Sequence, residues 1–143
     1  MTQEEWEKSV TWIGVVVGCV IKKDGKYLLV QEKQQKVYGL WNIPAGYVDK
    51  DEAIEHAAIR EVKEETGLDV ELDEQIGLYH EEVKKPVKHI FKAHIISGDL
   101  KAQEDEILDV KWLTFVEINA LNKQDKLRAD WIIDAINKVE ASS

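Results

Sequence analysis

The sequence predicts one α/β domain built on a mixed β-sheet. Three observations favour this fold class: strand-like stretches come first, a helix interrupts them, and further strands precede a second, amphipathic helix. A chain of 143 residues is long enough for one compact domain and too short for two ordinary ones. We therefore expect residues 1–143 to share one core.

The first predicted strands lie near the N-terminus. Residues 12–21 are apolar and β-branched on both faces, which is typical of a strand buried inside a sheet. Asp24 and Gly25 predict a tight turn into a second strand at residues 26–30. Residues 31–38 are polar and unpatterned, so we expect a surface loop there that can form a lip of a substrate site.

A central helix is predicted at residues 51–66. Pro44 interrupts regular structure shortly before it, and Asp49 and Glu52 have the spacing of a capping box with Asp49 as the N-cap. Gly67 stands where helices commonly end in a left-handed residue.

Strands and one more helix are predicted in the second half of the chain. The strand patterns cover residues 78–83, 87–96 and 107–113. Apolar side chains then recur at helical spacing, namely Leu127, Trp131, Ile132, Ala135, Ile136 and Val139. This spacing predicts an amphipathic helix that packs on the sheet.

The composition limits the kinds of partner that we expect. With 19 Lys and Arg against 28 Asp and Glu, the net charge is -9, and no basic cluster stands out. Broad binding to nucleic acid is therefore disfavoured. Action on a polyanion would need divalent cations to bridge like charges.

The single Cys19 and the apolar segment around it indicate the cellular compartment of the protein. Cys19 has no partner for an intrachain disulfide, which fits a buried core residue in a reducing compartment. Residues 10–21 are too short to span a membrane and follow acidic residues rather than basic ones. We expect a soluble, cytoplasmic protein without a membrane partner.

Three glutamates lie on or beside the predicted buried face of the central helix. The apolar stripe comprises Ile54, Ala57, Ala58 and Val62. Glu61 and Glu65 fall within this stripe, one turn apart, and Glu64 flanks it. Buried carboxylates without partners are costly and raise one another's pKa, so something cationic should compensate them.

Two explanations for these glutamates remain open from the residues alone. Arg60 can neutralise only one charge, whereas Mg²⁺ or Mn²⁺ prefers oxygen ligands such as three clustered carboxylates. The alternative is a solvated acidic helix in which the glutamates pair with Lys50, Arg60 and Lys63.

Residues 46–68 resemble the Nudix box, G-x5-E-x7-R-E-U-x-E-E-x-G-U, in which U is aliphatic. Every fixed position is filled, by Gly46, Glu52, Arg60, Glu61, Val62, Glu64, Glu65, Gly67 and Leu68. The resemblance to these MutT-like hydrolases implies an α/β/α sandwich with a central mixed sheet, a catalytic loop–helix–loop and a C-terminal helix. It also implies hydrolysis of a nucleoside diphosphate linked to another group, with Mg²⁺ or Mn²⁺ as cofactor.

The same resemblance implies roles for individual residues. Glu61 and Glu65 are expected to bind the metal together with the carbonyl of Ala45. Glu64 is expected to be a further ligand, or the residue that orients or deprotonates the attacking water. Arg60 is expected to hold the glutamates in place through ion pairs.

The resemblance also implies roles for acidic residues outside the three helix glutamates. Glu52 is expected to brace the loop against the helix. A late acidic loop is implied as another source of a catalytic carboxylate, and Glu106 is the predicted residue, with Glu104 or Asp105 as substitutes. A solvated acidic turn is the alternative explanation of this loop.

The substrate is less well specified than the chemistry. Candidates to stack on a base or ring are Trp41, Tyr38, Tyr47 and His80. Lys33 and Lys36 are candidates to bind outer phosphates. The alternative for each of these side chains is that it packs in the core or lies on the surface without contacting a substrate.

Several substrate classes stay open within the resemblance. Residues 40–46 are similar to a bacterial branch that acts on nucleoside di- and triphosphates and thiamine-related pyrophosphates. ADP-ribose or another nucleotide sugar is an alternative, although Pro86 comes later than the proline typical of that branch. A non-catalytic nucleotide sensor and an RNA-end hydrolase are further alternatives. Homodimers are common in this family, and a homodimer is among the expected assemblies.

Overall fold

The computed structural model describes residues 1–143. Its helices are α1 (Gln3–Ser9), α2 (Ile54–Thr66), α3 (Phe115–Lys123) and α4 (Trp131–Ala141). Its strands are β1 (Val15–Lys23), β2 (Lys26–Glu32), β3 (Trp41–Asn42), β4 (Ala45–Tyr47), β5 (Leu68–Tyr79), β6 (Val87–Gly98) and β7 (Ile107–Thr114). A short 3₁₀ helix covers Gln35–Val37. This mixed sheet with flanking helices confirms the predicted fold class.

The sheet is organised around β1. The strand order is β3-β2-β1-β6-β5, while β4 pairs with β1 and β7 pairs with β2. β1 and β6 run parallel, and the remaining pairs are antiparallel. Since β4 lies along the first half of β1 and leads towards α2, the start of the helix is held close to the centre of the sheet.

Two helices cover opposite faces of the sheet. Ala58 and Val62 of α2 pack in one apolar cluster with Cys19 and Ile21 of β1. Val20 points to the other face, as the alternation of side chains along a strand requires. There the cluster includes the apolar stripe of α4, which comprises Trp131, Ile132, Ala135, Ile136 and Val139. The layers therefore follow the order α/β/α.

Cys19 is a core residue, as the sequence predicts. Its side chain is buried within the cluster between β1 and α2. Burial raises the pKa of its thiol to about 12, so the thiol is not ionised near neutral pH.

The strand predicted at residues 78–83 is wrong. β5 begins at Leu68, directly after Gly67, and ends at Tyr79. It is an edge strand that carries several exposed acidic side chains, and its register against β6 shifts at three places. These shifts break the strict alternation on which a strand prediction depends.

The beginning of α2 also differs from the prediction. Ala53 is the N-cap, and no side chain caps the helix, so the predicted capping box at Asp49 is wrong. Glu52 instead accepts a hydrogen bond from the Asp49 N–H at 3.0 Å within the preceding turn. Asp51 has φ of 63°, which a helical residue does not adopt. The other end agrees with the prediction, because Gly67 has φ of 79°.

Two short helices, α1 and α3, were not predicted from the sequence. α1 buries none of its side chains, so it has no apolar stripe to detect. α3 is preceded by a capping box of Thr114 and Glu117, a signal that is visible in the sequence. Leu127 was predicted within the last helix, but it lies before α4 and forms a bridge with Trp41. No helix is both long and apolar enough to cross a membrane.

Candidate functional site

A carboxylate of α2 lies against the backbone of β4. Gly46 pairs with Val17 of β1, which fixes its position in the sheet. The carboxylate of Glu61 lies so close to Gly46 that a Cβ there would overlap all three carboxyl atoms. Only glycine leaves room for this approach.

Glu65 is the most deeply buried carboxylate of this site, with 6% of its surface exposed. Its Oε1 accepts a hydrogen bond from the Ala45 N–H at 2.9 Å, and it takes part in no ion pair. Burial raises the pKa of Glu65 well above its usual range, against the hydrogen bond from Ala45, and the charges of Glu61, Glu32 and Glu106 raise it further. The carboxylate therefore lacks a compensating cation.

Glu61 is also perturbed, although it has an arginine partner. Burial raises the pKa of Glu61 to about 7, and the negative charge of Glu64 contributes to the rise. The guanidinium of Arg60 acts in the opposite direction but does not offset burial. Buried Glu65 and partly buried Glu61 thus both resist ionisation in the absence of a further positive charge.

Arg60 connects the loop with the glutamates of the helix. Its Nε donates to Glu52 at 2.7 Å, and its Nη1 donates to Glu61 at 3.0 Å and to Glu64 at 3.1 Å. Its Nη2 also donates to the Tyr47 carbonyl at 3.1 Å. Chiefly through the hydrogen bond from Arg60, the pKa of Glu52 falls to about 2. One arginine thus contacts three glutamates and fixes the loop to α2.

Glu64 lies apart from the other two glutamates. Its side chain is 46% exposed, pairs with Arg60, and does not line the cavity beside Glu61 and Glu65. A role for Glu64 as ligand or base stays a prediction.

A cavity of about 770 Å³ opens beside the two buried glutamates. Seven acidic side chains line it, namely Glu32, Asp49, Glu61, Glu65, Glu81, Glu106 and Asp130. The charges of Glu32, Glu61 and Glu106 act on Glu65, so these four form its acidic end. Glu106 is the acid predicted from the late loop, whereas its alternatives Glu104 and Asp105 do not line the cavity. Glu32 was not predicted, because nothing in the sequence near the end of β2 links it to a helix more than twenty residues away.

The acidic end of the cavity fits a hard divalent cation. Its side-chain donors are carboxylate oxygens, the ligands that Mg²⁺ prefers. No group of three His, Cys, Asp or Glu side chains is arranged as a complete metal cage. Mg²⁺ commonly keeps several waters and needs only one or two carboxylates, so the pair of Glu61 and Glu65 suits it. Ala45, the predicted carbonyl ligand, adjoins this pair through its N–H.

The cavity wall also carries basic and aromatic side chains. These are Tyr47, Lys85, Lys88, Arg128 and Trp131. Tyr47 was a sequence candidate, whereas the other four were not. Trp131 was predicted only as part of a helix stripe, since its helical spacing gives no sign of a cavity. Its ring packs against Tyr79, with ring centroids 5.6 Å apart.

Three predicted substrate residues lie elsewhere. Trp41 is buried in the core, and neither Tyr38 nor Lys36 lines the cavity. Lys33, a candidate for binding phosphate, instead donates from Nζ to the Glu104 carbonyl at 2.8 Å. The loop at residues 31–38 therefore supplies fewer cavity residues than expected.

The fold and the site together define a class of protein. An α/β/α sandwich presents the carboxylates of Glu65, which is buried, and Glu61, which is braced by an arginine, to a polar cavity of nucleotide size. The family model of the NUDIX domain matches residues 12–134. The chain belongs to the Nudix hydrolase family.

Individual relatives agree with this assignment. The chain is 35% identical over 113 residues to an ADP-ribose pyrophosphatase of Methanocaldococcus jannaschii, covering 76% of this chain and 64% of that protein. It is 34% identical over 96 residues to a CTP pyrophosphohydrolase of Escherichia coli, covering 65% of this chain and 71% of that protein. A solved NUDIX hydrolase from Nitrosomonas europaea is similar with a TM-score of 0.82 and 30% identity, covering 92% of this chain and 90% of that one.

Proposed function

We propose that the chain hydrolyses a phosphoanhydride bond of a small nucleotide or related pyrophosphate, with Mg²⁺ or Mn²⁺ as cofactor. The observation that carries the proposal is the pair of buried Glu65 and partly buried Glu61, which lines the cavity without enough positive charge to neutralise it. A divalent cation supplies that charge and attracts the phosphates of a substrate that an acidic protein would otherwise repel.

Glu61, Glu65 and the Ala45 carbonyl would hold the metal. When bound, it neutralises phosphate charge and lowers the pKa of water. Arg60 keeps Glu61 in position, since its guanidinium is fixed by Glu52 on the loop side.

Glu106 accepts the proton of the attacking water in this proposal. Its position in the late loop, at the acidic end of the cavity, supports this role better than the exposed position of Glu64. The water oxygen forms a new bond to phosphorus, the anhydride P–O bond breaks, and the leaving phosphate carries away its electron pair.

The substrate is a nucleoside di- or triphosphate or a similar pyrophosphate. The cavity volume of about 770 Å³ accommodates a nucleotide, and Tyr47 and Trp131 offer ring surfaces beside it. ADP-ribose is the second candidate, because the archaeal relative carries the name of an ADP-ribose pyrophosphatase.

A substrate panel tests the proposal. It compares dNTPs, nucleoside diphosphates, ADP-ribose, NADH, dinucleoside polyphosphates, thiamine pyrophosphate and a 5′-triphosphate RNA, with products identified. We expect Mg²⁺-dependent release of phosphate or pyrophosphate from a free nucleotide. Glu65→Gln should lower the rate by more than the roughly 10–100-fold expected when only an outer partner of a ligand is lost.

Glu74→Gln is the matched control, because it removes the same charge from an exposed position of β5. Equal activity of wild type and Glu65→Gln would contradict the proposal. Tight nucleotide binding without any product would support a sensing module, and a preference for RNA would support an RNA-directed enzyme.

A further inference from the structure

The start of α4 and the residue before it form one part of the cavity wall. Arg128, Ala129, Asp130 and Trp131 all line the cavity, and we call this part the α4 end. No side chain caps α4, so the N–H groups of its first turn are not screened by a capping oxygen. The N-terminus of a helix attracts negative charge. This wall therefore suits an anionic group better than a cationic one.

Trp131, the first residue of α4, carries a side-chain donor without an acceptor. The residue is 7% exposed, and its Nε1 makes no hydrogen bond. An indole N–H can donate but cannot accept. Because buried polar atoms normally have a partner, an unpaired one at a cavity indicates a ligand or water that supplies it. The partner that suits Trp131 is an acceptor oxygen.

The indole ring of Trp131 is held in position by its neighbours. It packs against the ring of Tyr79, with centroids 5.6 Å apart. The Tyr79 hydroxyl donates to Asp134 and accepts from Lys138 Nζ at 3.3 Å. On the ring of Trp131 lies Lys88, whose Nζ is 6.0 Å from the centroid. A donor that is already fixed loses little conformational freedom on binding.

Arg128 adds a charged donor to the same wall. Its backbone is fixed to β3, because its N–H donates to the Trp41 carbonyl at 2.8 Å and Leu127 forms a bridge with Trp41. Its guanidinium takes part in no ion pair. The N–H groups of a guanidinium match the spacing of phosphate oxygens.

The other charged side chains of this wall balance one another. Lys88 forms an ion pair with Glu81. Lys85 and Asp130 line the cavity with opposite charges. Arg128 is then left as the uncompensated positive charge. A phosphate at the α4 end contacts these donors directly, whereas a phosphate beside Glu61 and Glu65 needs a cation between like charges.

We propose that Arg128, the Trp131 indole N–H and the N-terminus of α4 bind a phosphate of the substrate beyond the two that the scissile bond joins. This inference rests on the proposed function and narrows its substrate class to nucleotides that carry an additional phosphate. A monoester on the sugar and a further phosphate of the chain present the same oxygens, and the experiment distinguishes these two sources.

Two sets of nucleotides without an anhydride bond test the inference independently of activity. Isothermal titration calorimetry in Mg²⁺ compares AMP with adenosine 2′,5′-bisphosphate and adenosine 3′,5′-bisphosphate, which add a phosphate on the sugar. It also compares α,β-methylene-ADP with the bismethylene analogue of ATP, which adds a phosphate to the chain. We expect the added phosphate to raise the affinity about tenfold or more in one set, and that set identifies the source.

Arg128→Gln and Trp131→Phe should each reduce this gain, because the first removes the charge and the second removes the N–H but keeps an aromatic ring. Lys126→Gln is the control for the charge, since Lys126 is exposed in the same segment and does not line the cavity. Trp12→Phe is the control for the indole, since Trp12 is 68% exposed and lies outside the cavity wall. Both controls should keep the gain of the wild type.

The exposed Arg128 keeps the test decisive if circular dichroism shows that Trp131→Phe disturbs α4. The absence of a gain in both sets for the wild type, or a gain that Arg128→Gln leaves intact, would overturn the inference. If Trp131→Phe weakens both members of a set equally, Trp131 packs on the nucleoside, and its role as a phosphate donor is overturned.

These outcomes are separable from the test of the proposed function. Mg²⁺-dependent hydrolysis by a chain that gains nothing from an added phosphate would sink this inference alone. A gain that depends on Arg128, in a chain that hydrolyses no member of the substrate panel, would sink the proposed function alone.

Discussion

At the scale of single residues, the environment of Glu65 is the most informative feature. Its carboxylate is buried, accepts one hydrogen bond from the Ala45 N–H, and is surrounded by other carboxylates. An ionised group in such surroundings is costly unless a cation joins it. Arg60 does not reach it, because that guanidinium is engaged by Glu52, Glu61 and Glu64.

Gly46→Ala tests how tightly β4 positions Glu61. The new methyl group would overlap the Glu61 carboxylate, which must then rotate away from the site. We expect Mn²⁺ affinity to fall about tenfold or more, as when a ligand loses its orientation. Isothermal titration calorimetry measures this change.

Gly25→Ala is the control for this substitution. Gly25 has φ of 77° and no atom within 4 Å of its added Cβ, so the change should lower stability without altering Mn²⁺ affinity. Wild-type Mn²⁺ affinity in Gly46→Ala would show that the close contact with Gly46 of β4 does not position Glu61.

Sequence reasoning located the helix glutamates but missed residues that only the fold brings together. Glu61 and Glu65 follow from helical periodicity, because Val62 and Ala58 fix the buried side of α2. Glu32 joins them through the pairing of distant strands, which no local pattern encodes. Trp41, a substrate candidate from the sequence, packs its ring in the core, which the local sequence did not indicate.

At the scale of elements, α2 and its two ends determine the site. Gly67 marks the C-terminal end in both sequence and structure, because its left-handed conformation is a local requirement. The N-terminal end was misplaced, since Asp49 and Glu52 close a turn instead of capping the helix. β5 was misplaced for a related reason, as its bulges depend on the partner strand β6.

Gly67→Ala tests the junction between α2 and β5. Alanine at φ of 79° is strained, and its Cβ would overlap the Asp99 carbonyl. We expect the free energy of unfolding to fall by more than about 1 kcal/mol, the cost of the conformation alone. Denaturation in urea measures the difference.

Gly39→Ala provides the comparison. Gly39 has φ of 82° and nothing within 4 Å of an added Cβ, so it should lose only the conformational part. A smaller loss in Gly67→Ala than in Gly39→Ala would contradict the close packing at this junction.

At the scale of the whole molecule, the acidic groups of the cavity affect the stability of the entire chain. The pKa of Glu61 rises to about 7 in the fold, and that of Glu65 rises as well. A raised pKa means that the folded state retains protons that the unfolded state releases. The contribution of such a glutamate to the free energy of unfolding is therefore fully present below its unfolded pKa of about 4.5. It is lost as pH rises through the folded pKa of about 7.

Thermal unfolding with and without metal tests this linkage. In EDTA, the melting temperature should fall between pH 5 and pH 8. The free energy of unfolding should fall by up to roughly 1.4 kcal/mol per pH unit for each such group. Mg²⁺ should reverse the fall most strongly at high pH, because it binds the ionised carboxylates. Glu65→Gln should flatten the slope in EDTA, whereas Glu74→Gln should leave it unchanged; a slope that Glu65→Gln does not alter would contradict the linkage.

Anomalous diffraction from crystals soaked in Mn²⁺ tests the central claim most directly. The account predicts a peak in the cavity with carboxylate oxygens of Glu61 and Glu65 at metal-ligand distance, about 2.0–2.4 Å. A cavity without any peak, with Glu65 still bonded only to the Ala45 N–H, would contradict it.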